Sequence, residues 1–595
     1  MGSRAHRVRE PFYEKHCVGL PRERSIREMR MEPNDSQMST GHEASDPRED
    51  TPAGTSEREA SGSSSDASQE ESARVGRSAA LMSGLVIVSR LTGFLRTWSQ
   101  AYALGVTVLS SCYSVANNLP NQLYEIVVGG MLVTAFLPVY LTEKEKHGVE
   151  GARRYTSNLV SIVILLMGAL AILGFVFAAQ VVWTQSFSAN AEFDSGLAIY
   201  FFRFFVIEVV LYALSSIFSG VLNAERDYFW SSAAPILNNF VTTASFLAYA
   251  FLANSNPSLA LVILALGNPL GVAIQVVVQM PSLRKHGIRL RPYINLHDPA
   301  IKDTLSIGIP TVVVMLCSFE TTSVMTSSAL SVTAAGASIS YYARLWYTLP
   351  YAILAVPITT AMFTELSHYV ASGDMERYRA GVASGTSKIV FFMIPFALYL
   401  VVFAVPLVTF IAAGKFSADD IQVTSGYLQA LALSLPAYGV STYLQKVCSS
   451  LRSMELYAKS HVIAAVLQTI ACFALTPVFG LNFVALSSTL YAVVVDVATF
   501  VSLRRKLGHV GMKSVLIASA KALGLGAAGA AVGYAVILLM GRLPGFAGNS
   551  LRGALFTLVL GGVPAVLLTY GAAVALKVPE ASFVNTLLAK VRRRS

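Results

Sequence analysis

Charge is scarce in this sequence, and much of it lies where a soluble protein would not put it. Asp, Glu, Lys and Arg make up 13% of the 595 residues, 54% are hydrophobic, and mean hydropathy is +0.55. That composition excludes a soluble enzyme. Cysteine is sparse too. Cys17, Cys112, Cys317, Cys448 and Cys472 lie far apart with no C-x-x-C pair, so neither a disulfide framework nor a metal site is expected. Four of them fall in or beside apolar stretches, where a free thiol behaves as a small hydrophobe. No P-loop, GxGxxG, HExxH or GxSxG element stands in a workable context. Nucleotide hydrolysis and covalent catalysis therefore have no sequence handle, and no cofactor is expected.

What the chain does have is long apolar runs. A membrane-spanning helix needs ~20 apolar residues. Fourteen candidate spans follow Ala79, centred near Arg90, Val127, Gly168, Glu208, Thr243, Val272, Thr311, Ile353, Leu398, Ser434, Thr469, Ala492, Gly526 and Val563. Basic residues crowd every second connection: Lys144 to Arg154, Arg226, Arg284 to Lys302, Arg377 and Arg379, Lys446 to Lys459, and Arg504 to Lys513. The other connections hold only Lys415, Arg542 and Arg552. By the positive-inside rule both termini are expected in the cytoplasm. The net charge of +10 is then mostly topology plus attraction to anionic lipid heads, and no nucleic-acid partner is expected.

The organisation expected is a tail (1–77), six spans (78–283), a basic linker (284–302), six more spans (303–507), and a final pair with a basic terminus (508–595). The tail turns from basic to acidic and Ser/Gly-rich, cannot bury a core, and reads as disordered. It has no signal-peptide apolar region. Its charge switch marks Met31 or Met38 as an alternative translation start, which the mass of native protein would settle. The two groups of six echo one another weakly. FSGVLNAERDYFWSSAAPIL follows the fourth span and KVCSSLRSMELYAKSHVIAA the tenth, each a helix end, a short charged turn and a small-residue helix start. Repeats of this kind are characteristic of transporters. The thirteenth span carries Gly524, Gly526, Gly529 and Gly533, a face suited to close helix packing or to a lipid chain.

The charges inside spans are the candidate working residues. An Arg near the membrane centre costs on the order of 2.5–3.5 kcal/mol by insertion measurements, so it is expected to face a cavity or an anion. Arg90 and Arg96 in the first span are six apart and point about 120° apart, so both can border one broad cavity. Two readings stay open: helix-holding pairing with Glu125, or a guanidinium clamp on phosphate, which Arg's planar fork suits. Arg344, among Tyr341, Tyr342, Trp346 and Tyr347, is either an interfacial anchor or a cavity residue. Arg203 and Glu208 in the fourth span read as structural. Glu320 and Asp496 are single acids in apolar helices, candidates for ion or proton coupling or neutral bundle residues. The second span is broken by Pro120, Pro138 and Gly129-Gly130 and carries Asn117, Asn118 and Asn121; a hinge lining a cavity is expected there.

These residues resemble a family. SRLTGFLR (89–96), NNLPN (117–121) and FLPVY (136–140) resemble the opening of the MurJ/MviN lipid II flippases. GVLNAERDYFWSSAAPILNN (220–239) and LPYAILAVPITTAMFTELS (349–367) resemble its fourth-to-fifth span turn and its eighth span. The resemblance runs from about Ala79 to Leu503. It implies an all-α polytopic fold of the multidrug/oligosaccharidyl-lipid/polysaccharide exporter superfamily, with two six-helix lobes in a V plus two C-terminal helices. It implies carriage of undecaprenyl-diphosphate-linked disaccharide-pentapeptide to the outer leaflet of a bacterial plasma membrane, without enzyme activity. Arg90, Arg96 and Arg344 match the family's cavity arginines, with Asn118, Asn121 and Glu125 beside them. The sequence departs from the family pattern after LPN, where Tyr124 and Glu125 replace a further arginine, and Val128-Gly129 lack an acidic residue. The expected mechanism admits the diphosphate to the arginines, bends near Pro120 and Gly129-Gly130, and lets the membrane potential reset the empty carrier. The rivals are a cation-coupled drug antiporter using Glu320 or Asp496, and a non-transporting scaffold that recruits cell-wall synthesis proteins through the tail.

Overall fold

The computed structural model describes residues 84–129, 136–412, 414–542 and 550–581, with backbone alone at 128–129 and 302–311. The tail (1–77), Gly130, and the C-terminal basic residues lie outside these. Among the described residues there is no strand. Eleven helical segments are long and apolar enough to cross a membrane, matching the third to ninth and eleventh to fourteenth expected spans. The three remaining positions are helical as well. α1 (84–104) carries the first. α2 (Val108–Tyr124) carries much of the second but is too rich in Ser and Asn to pass as apolar. α15 (Ala418–Ala432) and α16 (Leu435–Ser450) divide the tenth.

Sequence chemistry sets the helix starts. Thr107 caps α2 by accepting from Ser110 N at 3.2 Å, and Asp194 caps α5 (Ser195–Phe205) by accepting from Leu197 N at 2.9 Å. Each satisfies a donor that a helix start otherwise leaves orphaned. α3 (Leu137–Val176) kinks at Gly148 (φ 65°) and is followed by the short α4 (Ala178–Trp183). The fourth span breaks at Val206–Ile207 before α6 (Glu208–Ala224). α7 (Tyr228–Leu252), α8 (Pro257–Val277) and α9 (Met280–Lys285) complete the first lobe, whose cores hold Phe201, Phe202, Phe205 and Phe246, and Tyr140, Tyr155 and Phe218. The second lobe comprises α10 (Pro299–Val332), α11 (Gly336–Pro350), α12 (Val356–Ala371), α13 (Met375–Val402), α14 (Ala404–Ile411), α15, α16, α17 (Met454–Phe479) and α18 (Leu481–Leu507). It has a core of its own.

Two correspondences link the lobes. Single π-helical turns follow the LP pairs of the second and eighth spans, at Glu125–Gly129 and Tyr351–Ala355. The first lies at the expected hinge; such turns loosen the helical ladder and often mark functional sites. The paired charged turns also share one backbone. Arg226 (φ 59°) and Arg452 (φ 51°) are left-handed, and Asp227 N and Ser453 N each donate back five residues, to Leu222 O and Cys448 O, at 2.8 Å. This is the six-to-one closure of a helix C-cap.

The first of these turns is pinned by Glu225. Lys144 Nζ donates to both of its carboxyl oxygens and Tyr140 Oη to one, all at 2.7 Å. Burial pushes the Glu225 carboxyl up, but these hydrogen bonds outweigh it and hold it below the usual range. A carboxylate with a lowered folded-state pKa stabilises the fold above its unfolded pKa, and that contribution disappears as pH falls through the folded value. Glu225→Gln is expected to cost about 1 kcal/mol at neutral pH. The difference from wild type in a thermal melt should close as pH drops below about 4.

The small-residue face of α19 (Met512–Met540) is a packing face. A Cβ on Gly526 would come within 2.9 Å of Pro395, and one on Gly529 within 2.7 Å of Ala565 O and 2.8 Å of Tyr399 Oη, while Gly524 faces open space. Gly529→Leu must separate α19 from α13 and from α21 (Val563–Ala575), which follows the short α20 (Leu551–Thr557), at a cost of roughly 1–3 kcal/mol. A lowered melting midpoint for Gly529→Leu and an unchanged one for Gly524→Leu are the expected results.

Candidate functional site

The lobes meet along a seam between α1 and α11. Phe94 packs edge-on against Trp346, ring centroids 5.8 Å apart, and both rings contact Phe410 of α14. The arginines flank this pair, Arg96 two residues beyond Phe94 and Arg344 two before Trp346. Arg96 is half-buried and within electrostatic reach of Tyr341, Tyr113 and Tyr212, with Tyr341 also a hydrogen-bond partner. Arg344 is exposed, with Tyr347, Tyr427 and Tyr438 in reach. Arg90 is exposed on the same helix, roughly 9 Å along the axis from Arg96 at 1.5 Å per residue and about 120° around it.

Glu125 belongs to the first lobe, directly after α2. It is exposed, accepts from Asn121 Nδ2 at 3.3 Å, and also lies in reach of Tyr438. Asn118 is exposed one turn earlier, and Pro120 is buried inside α2. No ion pair joins Glu125 to Arg90 or Arg96 among the described residues, so the pairing reading of those arginines finds no contact here. Neither guanidinium is committed to a carboxylate at bonding distance among the described residues.

Glu320 and Asp496 lie elsewhere. Glu320 accepts a hydrogen bond from Thr469 while its other oxygen has no partner, and Asp496 is buried with Oδ1 unpartnered. They sit among α10, α17 and α18, apart from the arginine seam. Among the described residues no group of three or more His, Cys, Asp or Glu could hold a metal.

Glu208 is fully buried at the start of α6, with Arg96 in electrostatic reach. Its amide partner, Asn268, lies sixty residues away on α8. The only local signal is a charge at mid-span, the same signal that marks Arg90.

At the opposite end of the seam the lobes are clasped. Tyr342 Oη donates to Gly105 O at 3.1 Å, Ser338 N to Ser111 Oγ at 3.1 Å, and Asn190 N to Leu330 O at 3.0 Å. Ser188 and Ser327 face one another with their hydroxyl oxygens 2.8 Å apart. Gly105, Ser188 and Asn190 lie in connections poor in basic residues, and Ser111, Ser327, Leu330, Ser338 and Tyr342 lie in the helices beside such connections.

Comparison with known proteins agrees with this architecture. The family described as "Lipid II flippase MurJ" matches residues 100–551. The chain is 24% identical over 404 residues to a probable lipid II flippase MurJ of Borreliella burgdorferi, covering 67% of this chain and 76% of that one. It is 23% identical over 431 residues to the lipid II flippase MurJ of Burkholderia cenocepacia, covering 71% and 83%. Among solved structures, a lipid II flippase MurJ in an inward closed conformation superposes with a TM-score of 0.66 at 19% identity, covering 83% of this chain and 99% of that one. An inward-facing multidrug resistance MATE family transporter of the MOP superfamily gives a TM-score of 0.59 at 15% identity, over 71% and 98%. The match over most of the chain places it in a family: this membrane protein belongs to the lipid II flippase MurJ family.

Proposed function

We propose that the chain moves undecaprenyl-diphosphate-linked disaccharide-pentapeptide from the inner to the outer leaflet of a bacterial plasma membrane by alternating access. The observation that carries this reading is Arg96, half-buried at the seam between the lobes and free of any ion pair at bonding distance among the described residues. A guanidinium there suits a diphosphate, whose charge and acceptor oxygens match its fork. Arg344 supplies a second guanidinium from the facing lobe, with Arg90, Asn118, Asn121 and Glu125 bordering the same space. The orientation expected from the basic connections, both termini cytoplasmic, puts the clasp at Ser188, Gly105 and Ser338 outside. The arginine space then opens toward the cytoplasm. The π-turn at Glu125–Gly129, with Pro120, is the hinge, and the polyprenyl tail stays in lipid.

In proteoliposomes carrying a fluorescent polyprenyl-diphosphate disaccharide, an added quencher should reach inner-leaflet label only where the chain is present. Arg90→Ala/Arg96→Ala should abolish that exchange; exchange at the wild-type rate would contradict the reading. A cation-coupled drug antiporter is the second reading, supported by the unpartnered oxygens of Glu320 and Asp496. Sodium- or proton-dependent dye efflux lost in Glu320→Gln would favour it. Deleting residues 1–77 should leave lipid exchange intact; lost function after that deletion alone would favour recruitment of cell-wall synthesis proteins through the tail.

A further inference from the structure

Arg203 is the only Lys or Arg in the fourth span, and it is exposed. It is the ninth residue of a helical segment, Ser195–Ala224, that crosses the membrane with 30 residues. At 1.5 Å per residue the segment is about 45 Å long, the thickness of a bilayer with its headgroup regions. Arg203 lies about 12 Å from the Ser195 end, just inside the hydrocarbon. Side chains on a helix tilt toward its N-terminus, so this guanidinium leans back toward Ser195 and the interface. Its surroundings agree. Gly196, Ile199 and Tyr200 precede it on α5, and with Phe204 and with Phe175 of α3 they line a cavity of about 300 Å³.

The guanidinium carbon lies 5.7 Å from the centroid of the Phe175 ring, a cation-π contact that orients it. No acid pairs with it among the described residues, and no acid lines the cavity. Tyr200, three residues earlier on the same face, packs its ring 5.1 Å from that of Phe204. Its hydroxyl has no hydrogen-bond partner among the described residues. Around the cavity the surface is carbon, with Ile172, Phe175, Val176 and Ile207 exposed. Exposed carbon of this kind in a spanning segment faces lipid, and neither α3 nor α5 carries the arginine seam.

We propose that this cavity holds the headgroup of an anionic phospholipid, with its phosphate on Arg203 and Tyr200 and its acyl chains starting along Phe175, Ile199 and Phe204. An unpaired guanidinium at the edge of the hydrocarbon is costly without an anion, and lipid phosphates lie at that depth. Its planar fork takes two phosphate oxygens at once. One cation with no acid beside it matches a headgroup of net charge −1 better than a zwitterion. The cavity has room for a phosphoglycerol and none for a disaccharide-pentapeptide, so it is a site for a lipid other than the transported one. It lies at the clasp end of the first lobe, because Asp194, the cap of α5, directly follows the loop of Ser188 and Asn190 that meets α10. On the orientation proposed above that is the outer leaflet; the leaflet rests on that reading, and the site does not.

The test measures phosphatidylglycerol retained by the full chain in native mass spectrometry, with phosphatidylcholine and undecaprenyl phosphate as comparison probes. It compares wild type, Arg203→Gln, Arg203→Lys and Gly196→Leu. Arg203→Gln should lose one phosphatidylglycerol site, its affinity down roughly tenfold. Arg203→Lys should recover part of it. Gly196→Leu keeps the cation but fills the cavity, and should lose the same lipid. Its added Cβ meets only Asp194 Oδ1, at 3.3 Å, so the helix can accept it. Phosphatidylcholine retention should be the same in all four forms. Equal phosphatidylglycerol retention by wild type and Arg203→Gln would overturn the inference and leave Arg203 an interfacial anchor. Loss in Arg203→Gln without loss in Gly196→Leu would overturn the cavity as the place of binding. A site that prefers undecaprenyl phosphate would overturn the phospholipid as occupant. Labelling of Ser195→Cys by an impermeant maleimide outside intact cells, above the parent chain, is expected for the outer leaflet. Labelling only after lysis would overturn the orientation and leave the binding result standing.

Discussion

Arg96→Ala is expected to weaken binding of a polyprenyl diphosphate by roughly ten- to a hundredfold and to bring lipid exchange to background. The magnitude follows from the 1.5–3 kcal/mol that a hydrogen bond to a charged group contributes, at about 1.4 kcal/mol per decade of affinity. It falls on Arg96 rather than Arg90 because Arg96 is half-buried among tyrosines at the lobe seam, while Arg90 is exposed. Water screens the second more than the first. Arg96→Lys keeps the charge but loses the planar fork, so it should recover only part of the binding. An equilibrium binding titration of the three forms checks the order wild type, Lys, Ala. Equal affinity for wild type and Ala would remove Arg96 from the site.

The second large effect is a lock. Ser188 and Ser327 belong to different lobes, and their hydroxyl oxygens are 2.8 Å apart. Cysteines at the two positions fall within reach of the ~2.05 Å disulfide bond length after a small side-chain adjustment. Oxidised Ser188→Cys/Ser327→Cys protein should hold the lobes clasped at that end and stop lipid exchange. Reducing agent should restore it, because each substitution alone is conservative in size. The four described native cysteines are buried and offer little competition for the oxidant. Exchange that continues at the wild-type rate in fully cross-linked protein would show that the clasp never opens during transport.

Much of the architecture was legible in the sequence because a bilayer imposes length and hydropathy on every spanning helix. The charged turns at Arg226 and Arg452 were visible as an echo of residue types, and their shared left-handed arginines show why the pattern repeats. A π-turn at Glu125–Gly129 follows Pro120 in the second span. The first, second and tenth expected spans are too short or too polar to stand out as long apolar helices among the described residues. α2 spends its residues on Ser110, Ser111, Asn117 and Asn118 instead of lipid-facing carbon. Arg90 and Arg96 stood out because a guanidinium in an apolar run is costly wherever it points. Glu208 carried the same signal, but its partner Asn268 is brought in by the fold from a distant helix. Likewise, no local pattern could reveal that Trp346 meets Phe94, since that contact joins residues about 250 apart and exists only once both lobes are folded.

The most direct test depletes a bacterial host's own flippase, supplies this chain or its Arg90→Ala/Arg96→Ala form, and asks whether newly made lipid II becomes accessible to an externally added cleaving enzyme. Cleavage restored by the intact chain and absent with the double variant, at equal membrane levels, is the expected result. No restoration by a properly inserted intact chain would contradict lipid II transport, and restoration by both forms would contradict the arginine site.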